Sequence, residues 1–485
     1  MRPGRLLRSM ALLLPGGRAL AAPASWHASP PRKLVGGVYE REHTFRVPVD
    51  WAAEKGETMD VFVRELTSAK VEAQRDAAPA LMFCQGGPGF ASPRPSLPAS
   101  GWLAAALGEH RVLLLDQRGT GRSGAATPAL LRRLGAGAAP YLAKMRADSI
   151  ACDMECVRKA LLGDGKLGLL GQSYGGFVML AYLSRFADHA DRCLFTCGLA
   201  PMTVGAEDVY RATAQRMVTR TLRFYQRYPD DVANVRRVAR FLSTAPQPLP
   251  SGGTLTPRRF QMLGLMLGSA SGMENLHWLL ETAWEVPPGD ASPSELSDVF
   301  LRAVDAQQAA FETNPVYWLM HESIYADGAG TSTKWAAQRG TATNWAAQRV
   351  LAADARFSLE SQLEDDSQPV QFTGECVFSW MADDFVGLAP LAGLAEDLAR
   401  REWTEPLYDL AALAGVAARV PVAALVSYDD VYVERTFSEA AAAVLGPAAK
   451  LWVTNEFQHS GLRDDGARVF ETLLKMSKDE ISLPS

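Results

Sequence analysis

Cysteine and histidine are scarce in this chain, which has six cysteines and seven histidines among its 485 residues. No two cysteines have the Cys-x-x-Cys spacing of zinc or thiol-disulfide exchange sites. Cys152 and Cys156 are four residues apart, as are Cys193 and Cys197, but a metal site would need further ligands that the sequence does not place nearby. We therefore expect reduced, buried, structural thiols in a reducing compartment, and neither a metal nor another cofactor.

Long apolar runs and clusters of basic residues are missing as well. Apolar runs such as 112–115 and 167–170 are far shorter than the ~20 residues that cross a bilayer and are typical of buried strands. The 49 Lys and Arg residues are outnumbered by 54 Asp and Glu residues, and no cationic run could follow a phosphate backbone. With 48% hydrophobic and 21% charged residues, the sequence predicts a globular protein of enzyme size that binds neither membranes nor nucleic acid.

Acidic residues are absent from the first 39 positions, where Arg, Ala, Ser and Pro are frequent. This composition favours a transit peptide over residues 1–38 and import into a plastid or mitochondrion. The alternatives are an untargeted leader on a cytoplasmic protein, or a secretory signal whose apolar stretch is shortened by Pro15. In each case we expect the fold to begin near Tyr39.

Short apolar segments alternate with helical patterns from residue 43 to residue 198, which predicts parallel strands joined by crossover helices. The predicted strands are His43–Val49, Met59–Leu66, Ala80–Cys84, Arg111–Asp116, Lys166–Gly171, Arg192–Gly198, Pro421–Ser427 and Lys450–Thr454. The first two are expected to pair antiparallel. Helices are predicted at Tyr141–Leu162 and Gly175–Phe186.

The segment between the two groups of strands has mixed helical patterns rich in Trp, Leu, Ala and Gln. The simplest architecture is an α/β sheet domain of residues 39–201 and 419–485, interrupted by a mostly helical cap of residues 202–418. Such a cap would lie over the carboxyl ends of the strands, where α/β sheets bind ligands. Within it, Trp335-Ala-Ala-Gln-Arg339 recurs as Trp345-Ala-Ala-Gln-Arg349, which we interpret as a local duplication because a repeat architecture needs more and longer units.

Gly171-Gln-Ser-Tyr-Gly175 lies between a predicted strand and a predicted helix. This is the context of a nucleophile elbow, in which a serine occupies a strained turn and small neighbours let the helix approach the strand. A solvated serine in a Gly-rich turn is the competing interpretation. The strand before Ser173 and the helix after it favour a nucleophile, with the Tyr174 N–H directed at the developing oxyanion.

Gln85-Gly-Gly-Pro-Gly89 follows a predicted strand, at the position where α/β hydrolases take the second N–H of the oxyanion hole. We expect Gly87 to be this donor, with Gly86 as the near alternative; an ordinary Pro-Gly turn is the other interpretation. Asp116-Gln-Arg-Gly-Thr-Gly-Arg-Ser123 also follows a strand but lacks the Gly-Lys-Ser/Thr ending of a phosphate loop. We interpret it as a structural loop beside the site.

A serine hydroxyl needs a neighbouring base, and the base needs a carboxylate that fixes its tautomer. Only His459 follows the final strand, at the carboxyl end of the sheet. The others lie in the leader, on or before strands, beyond the elbow helix or in the predicted cap: His27, His43, His110, His189, His277 and His321. The acid should follow the penultimate strand, where Asp429 and Asp430 are adjacent, and we favour Asp430.

Together these motifs resemble those of the proline iminopeptidases, and most closely those of their longer, Aeromonas-type branch. The similarity runs from about Glu40 to the C-terminus and also includes Arg146-Ala-Asp-Ser-Ile150, Asn314-Pro, His321-Glu-Ser-Ile-Tyr325, Asn344–Arg349 and Val453–His459. The resemblance implies an α/β hydrolase with a helical cap that releases N-terminal proline from small peptides by serine catalysis, without a metal.

Carried onto this chain, the resemblance implies Ser173 as nucleophile, Asp430 as orienting acid and His459 as base. In the family, glutamates of the cap hold the free amino terminus of the substrate. Glu322 matches that role best, and Glu274 and Glu281 are weaker matches.

Two features depart from the family pattern. Gln85 stands where many shorter members carry histidine, and the duplicated segment adds residues to the cap, so substrate preference need not follow the family. A carboxylesterase or another amidase with the same triad is the alternative enzyme, since one fold hosts many functions. A non-catalytic binding scaffold is the remaining alternative, which the intact Ser, Asp and His argue against.

Overall fold

The computed structural model describes residues 13–14, 18–20, 23–53, 56–285, 295–327 and 342–481. A ten-stranded sheet lies at the centre of this part of the chain. Its strands are β1 (Ser25–Ala28), β2 (Arg32–Lys33), β3 (Val38–Pro48), β4 (Thr58–Ser68), β5 (Ala80–Cys84), β6 (Arg111–Leu115), β7 (Leu167–Gln172), β8 (Ala190–Thr196), β9 (Val422–Ser427) and β10 (Lys450–Thr454).

Strand order across the sheet is β10-β9-β8-β7-β5-β6-β4-β3-β1, and β2 pairs with β3. The strands from β5 to β10 are parallel to their neighbours in this group, whereas β3 and β4 form the expected antiparallel pair and β4 is antiparallel to β6. The eight predicted strands are confirmed. Because the parallel strands point the same way, the loops that follow them meet at one edge of the sheet.

The sheet begins earlier than the sequence predicts. β1 and β2 precede Tyr39 and pair antiparallel with β3, so part of the predicted leader belongs to the fold. The Trp26 indole stacks on Phe45 with 5.7 Å between ring centroids and donates a 3.4 Å hydrogen bond from Nε1 to His43 Nδ1. The expectation that the fold begins near Tyr39 is wrong, because the apolar surface of β3 packs against these residues; the transit peptide stays a prediction.

Helices surround the sheet and fill the insertion. Before the insertion they are α1 (Ala69–Glu72), α2 (Gly101–Leu107), α3 (Pro128–Leu134), α4 (Ala138–Ala143), α5 (Ala147–Leu162) and α6 (Tyr174–Phe186). Within it they are α7 (Ala206–Arg227), α8 (Asp231–Thr244), α9 (Pro257–Gln261), α10 (Gly272–Glu281), α11 (Asp298–Gln308), α12 (Ala310–Thr313), α13 (Pro315–Met320), α14 (Ala346–Ala352), α15 (Leu359–Glu364), α16 (Met381–Asp384), α17 (Ala392–Ala399) and α18 (Leu410–Leu413). After it they are α19 (Arg435–Leu445), α20 (Gly461–Asp464) and α21 (Gly466–Ser477).

Alternate residues of β5 face two different layers of helices. Met82 and Cys84 pack in the cluster that contains residues of α5 and α6, whereas Leu81 and Phe83 pack in the cluster that contains residues of α2 and α21. Since successive side chains of a strand point to opposite faces, the continuous apolar run of β5 is explained by burial on both sides. The sheet is thus held rigidly between two helical layers.

The helix predicted at Tyr141–Leu162 is interrupted. α4 ends at Ala143 and α5 begins at Ala147, because Arg146 adopts an extended backbone. From that position the buried Arg146 guanidinium donates hydrogen bonds to the carbonyls of Ser323 and Ala326 in the insertion. The break therefore joins the sheet layer to the insertion.

The insertion has a second apolar cluster of its own, formed by Phe224, Leu242, Phe260, Leu276, Phe300 and Phe372 among others. Its described strands are a hairpin of Gln247–Pro248 with Thr254–Leu255. We propose the division that the sequence predicts, with the cap at 202–418. The first duplicated segment, Trp335 to Arg339, lies outside the described residues, whereas the second forms the start of α14.

Two further expectations concern the cysteines and membrane-spanning helices. All six cysteines are buried and free, as predicted, and burial raises the pKa of the Cys84 thiol to about 12. Among the described residues, no helix combines the length and the apolar character that a membrane span requires.

Candidate active site

Ser173 lies at the turn between β7 and α6, at the carboxyl edge of the sheet. Its backbone has φ 55° and ψ −127°, a conformation that non-glycine residues rarely adopt and that marks a strained turn. A Cβ atom on Gly175 would lie 1.9 Å from the carbonyl oxygen of Cys84, so only glycine lets α6 approach β5 this closely. The local geometry is that of a nucleophile elbow.

His459 and Asp430 form a buried hydrogen-bonded pair, with 2.8 Å between His459 Nδ1 and Asp430 Oδ2. The other carboxylate oxygen of Asp430 accepts hydrogen bonds from the backbone N–H groups of Tyr432 (2.9 Å) and Val433 (3.0 Å). These bonds fix the orientation of the carboxylate. The carboxylate in turn holds the proton on His459 Nδ1, so that Nε2 is the nitrogen available to a substrate or a nucleophile.

Backbone hydrogen bonds connect His459 both to the sheet and to the insertion. Its carbonyl accepts a 3.0 Å hydrogen bond from the side chain of Gln172, the residue before Ser173. Its N–H donates a 3.0 Å bond to the Gly268 carbonyl of the insertion. The edge of the Tyr432 ring packs against the imidazole, with 4.9 Å between ring centroids. The imidazole is therefore positioned before any substrate binds.

The two adjacent aspartates point in different directions. Asp429 forms an ion pair with Arg223 of α7, whereas Asp430 is 1% exposed and contacts His459. Of the two candidates that the sequence left open, Asp430 is thus the one that lies beside the imidazole.

A cavity of about 380 Å³ joins these groups. Ser173 and His459 both line it, together with Gly86 and Gly87. Tyr174 is the first residue of α6, where backbone N–H groups have no partner within the helix. A Cβ atom on Gly86 would lie 3.1 Å from the Cβ of Ser173, so the Gly86 backbone is packed directly against the serine. Both glycine candidates for the oxyanion donor therefore border the site.

The loop after β6 supports this arrangement. Gln117 donates a 2.9 Å hydrogen bond to the carbonyl of Gln85, which fixes the Gly86 and Gly87 backbone. Asp116 is paired with Arg94, and Arg118 with Asp153. These contacts agree with the interpretation of the segment as a structural loop.

Cys197 lies behind the pair, and one ligand atom each of Cys197, Asp430 and His459 lies within 4.8 Å of the others. Burial, followed by the charge of Asp430, raises the pKa of the Cys197 thiol, so the sulfur stays neutral. Metals bind thiolates, usually with a fourth ligand, and the other two groups are bonded to each other. The donor set therefore fits a hydrolase triad better than a metal centre.

Glu322 does not lie in this cavity. Its two carboxylate oxygens accept 3.0 Å hydrogen bonds from the N–H groups of Ala346 and Ala347 at the start of α14. Burial raises the pKa of Glu322, and the bonded N–H groups oppose that shift. The structure thus places the Glu322 side chain inside the insertion, bonded to the first N–H groups of α14, and not in the cavity beside Ser173 where the sequence interpretation expected it.

We expect Glu322→Ala to lower the free energy of unfolding by about 1–2 kcal/mol, because two backbone N–H groups lose their acceptor. Chemical denaturation measures this change, and Glu281→Ala is the matched control with an exposed side chain. The ratio of kcat/KM for a free over an N-acetylated prolyl amide should stay at the wild-type value. A large fall of that ratio in Glu322→Ala would indicate that Glu322 does bind the amino terminus of the substrate.

The two weaker candidates also lie away from the cavity. Glu274 forms a 2.5 Å ion pair with Arg227, and Glu281 is exposed at the end of α10. Neither belongs to the lining that contains Ser173.

The carboxylate that does line the cavity is Glu375, which the sequence interpretation missed. Its Oε1 accepts a 2.6 Å hydrogen bond from the Tyr317 hydroxyl, and burial raises the pKa of that phenol, which therefore remains a donor. No motif surrounds Glu375; it follows the mixed segment Val370-Gln-Phe-Thr-Gly374, and its position depends on how the cap folds.

Three comparisons with known proteins show what this chain is similar to. A model of the α/β hydrolase fold matches residues 79–250. A proline iminopeptidase of Aeromonas sobria is 38% identical over 454 residues, which are 93% of this chain and 100% of that protein. Proline iminopeptidase aneH of Aspergillus aculeatus is 29% identical over 449 residues, 91% of this chain and 94% of that protein. The crystal structure of esterase E22 covers 91% of this chain at 10% identity with a TM-score of 0.44.

Proposed function

This chain belongs to the proline iminopeptidase family of α/β hydrolases, and we propose that it releases N-terminal proline from small peptides through an acyl-enzyme on Ser173. The observation that carries the proposal is the 2.8 Å bond between His459 and Asp430 at a cavity that Ser173 and Glu375 also line. In this proposal the nucleophile, the oriented base and a carboxylate that binds the cationic amino terminus all contact the same substrate molecule.

In the proposed first half-reaction, His459 Nε2 takes the hydroxyl proton of Ser173 as the oxygen attacks the prolyl carbonyl. A C–O bond forms, and the carbonyl oxygen becomes an oxyanion. His459 then gives its proton to the departing amine as the peptide C–N bond breaks. Water hydrolyses the prolyl ester in the second half, with His459 as base again. Asp430 stabilises the imidazolium in both halves.

The oxyanion is assigned to two backbone donors. One is the N–H of Tyr174 at the start of α6, and the other is the N–H of Gly87, with Gly86 as the alternative. Fixed N–H groups stabilise developing charge without reorganising, and each is worth about 3 kcal/mol of barrier. The hydrogen bond from Gln117 to Gln85 supports this role, because it holds the loop that carries both glycines.

We assign the free amino terminus of the substrate to Glu375 in place of Glu322. A prolyl nitrogen that carries a positive charge would pair with this carboxylate, and the Tyr317 hydroxyl would keep the carboxylate in place. Because Glu375 is half-buried, the pair would be stronger than a fully exposed ion pair. A blocked nitrogen has no charge to offer, so Glu375 would select for a free terminus.

A substrate panel tests the proposal together with Glu375→Gln. We expect the wild type to hydrolyse a free prolyl amide far faster than its N-acetyl form. Glu375→Gln should lower kcat/KM for the free amide by about ten- to a hundredfold, because the negative charge that strengthens the hydrogen bond to the prolyl nitrogen is lost. Activity toward a short-chain ester, which has no amino terminus, should change much less.

Glu274→Gln is the matched control, because Glu274 pairs with Arg227 outside the cavity. A wild type that prefers the ester and ignores the free terminus would instead identify a carboxylesterase. Equal losses on amide and ester in Glu375→Gln would remove the assigned role of Glu375 but not the aminopeptidase proposal.

A further inference from the structure

The cavity above Ser173 has two unlike walls. The cap contributes Leu265, Tyr317 and Glu375 to one of them. The other wall is apolar and comes from the sheet domain, where Phe83, Trp102 and Leu462 line the cavity. The roles proposed for Ser173, His459 and Glu375 leave this apolar wall without a role.

The second wall is rigidly built. Phe83 is a buried residue of β5, and the half-buried Trp102 of α2 stacks on it with 4.7 Å between ring centroids. A Cβ atom on Gly466 would lie 2.9 Å from the backbone nitrogen of Trp102, so α2 and α21 are in close backbone contact. Leu462 of α20 is 4% exposed and belongs to the same apolar cluster as Phe83. Aromatic side chains held in this way present an apolar surface at little entropic cost.

The position of His459 indicates which part of a peptide lies on this wall. The imidazole must face the departing amine, to which it gives a proton. Leu462 follows His459 by three residues, in the helix that begins just after it. The prolyl nitrogen is assigned to Glu375 of the cap, and the departing amine to the side of His459, which leaves the apolar residues of the sheet domain for the chain beyond the scissile bond.

We propose that Phe83, Trp102 and Leu462 form a subsite for the side chain of the substrate's second residue, and that it selects aromatic and large aliphatic residues. This inference rests on the proposed aminopeptidase function. Burial of an apolar side chain against a preformed apolar wall is favourable, and it is realised only by peptides that carry such a residue at this position.

The edge of the subsite carries a positive charge. Arg463 also lines the cavity and is exposed. Like charges repel most where water is partly excluded, so a lysine as the second residue is disfavoured on this wall. The substrate class is therefore peptides that begin with proline followed by an apolar, uncharged residue.

The experiment compares kcat/KM for four dipeptide amides, Pro-Phe, Pro-Leu, Pro-Gly and Pro-Lys. All four form the same prolyl-enzyme, so differences in kcat/KM report binding and acylation of the departing residue. The wild type should favour Pro-Phe and Pro-Leu over Pro-Gly by about tenfold or more, with Pro-Lys the poorest. In Trp102→Ala the preference for Pro-Phe over Pro-Gly should fall below about threefold.

Trp278→Ala is the matched control, because Trp278 of α10 is 57% exposed and does not line the cavity. This variant should keep the wild-type preference. If Trp102→Ala does not fold, the preference for Pro-Phe over Pro-Gly is measured in Leu462→Ala and compared with that of the wild type. Arg463→Gln should raise kcat/KM for Pro-Lys relative to that for Pro-Gly. Equal kcat/KM for the four amides overturns the subsite while leaving the aminopeptidase intact, whereas cleavage of none of them overturns the proposed function itself.

Discussion

Ser173→Ala should abolish proline release, with turnover lower by about 10⁴-fold or more. The methyl side chain cannot form the acyl-enzyme, and the oxyanion donors and the remaining groups supply only a small residual acceleration over water. The fold should persist, because the substitution removes one oxygen from a residue whose strained backbone is held by its N–H bond to Thr196. Release of proline from a prolyl amide, measured with excess enzyme, gives the residual rate.

A fluorophosphonate probe provides the independent measurement for this variant. The wild type should be labelled on Ser173, and the variant should not be labelled. Ser243→Ala, which alters a serine of α8 bonded to Ala239, should keep full turnover and labelling. Near wild-type proline release by Ser173→Ala would remove the acyl-enzyme mechanism altogether.

Asp430→Asn should have the second largest effect, a loss of turnover of about 10⁴-fold. One carboxylate oxygen accepts the N–H groups of Tyr432 and Val433, so the amide oxygen of asparagine must occupy that position. The amide NH₂ then faces His459 Nδ1 and donates to it. This forces the proton onto Nε2, and the imidazole can no longer accept the proton of Ser173.

The adjacent residue gives a matched control for this substitution. Asp429→Asn removes the same charge one residue away, but its carboxylate pairs with Arg223 and does not touch the imidazole. Turnover should therefore stay near the wild-type value, and thermal unfolding of both variants should be compared to exclude a loss of fold. An equal loss of turnover in the two variants would contradict the assignment of Asp430.

The elements that the sequence predicts well are those whose signals are local. The strands from β5 to β9 are short, mostly buried apolar runs, β10 is a half-buried strand at the edge of the sheet, and the limits of all six agree with the predicted ones to within a few residues. The elbow at Ser173 was predictable because a strand, a Gly-x-Ser-x-Gly turn and a helix are consecutive in the chain. His459 could be chosen because no other histidine follows the last strand.

Predictions that depended on distant packing were less successful. The sequence placed β1 and β2 outside the fold, because two short polar strands acquire their partner only when β3 is formed. Glu322 lies in the His321-Glu-Ser-Ile-Tyr325 stretch and Glu375 in no motif, so the sequence favoured Glu322, although Glu375 is the acid that lines the cavity. Glu322 caps α14 and Glu375 lines the cavity that Ser173 also lines, a difference set by the segments that surround each carboxylate.

The sequence by itself determined the sheet and the places of Ser173 and His459, the proposed nucleophile and base, since each follows from a contiguous pattern of strand, turn and helix. Only the tertiary structure decided between Asp429 and Asp430, and between Glu322 and Glu375. The physical reason is that the direction of a side chain beyond the end of a strand, or within a cap, follows from backbone turns and from contacts between segments far apart in the chain.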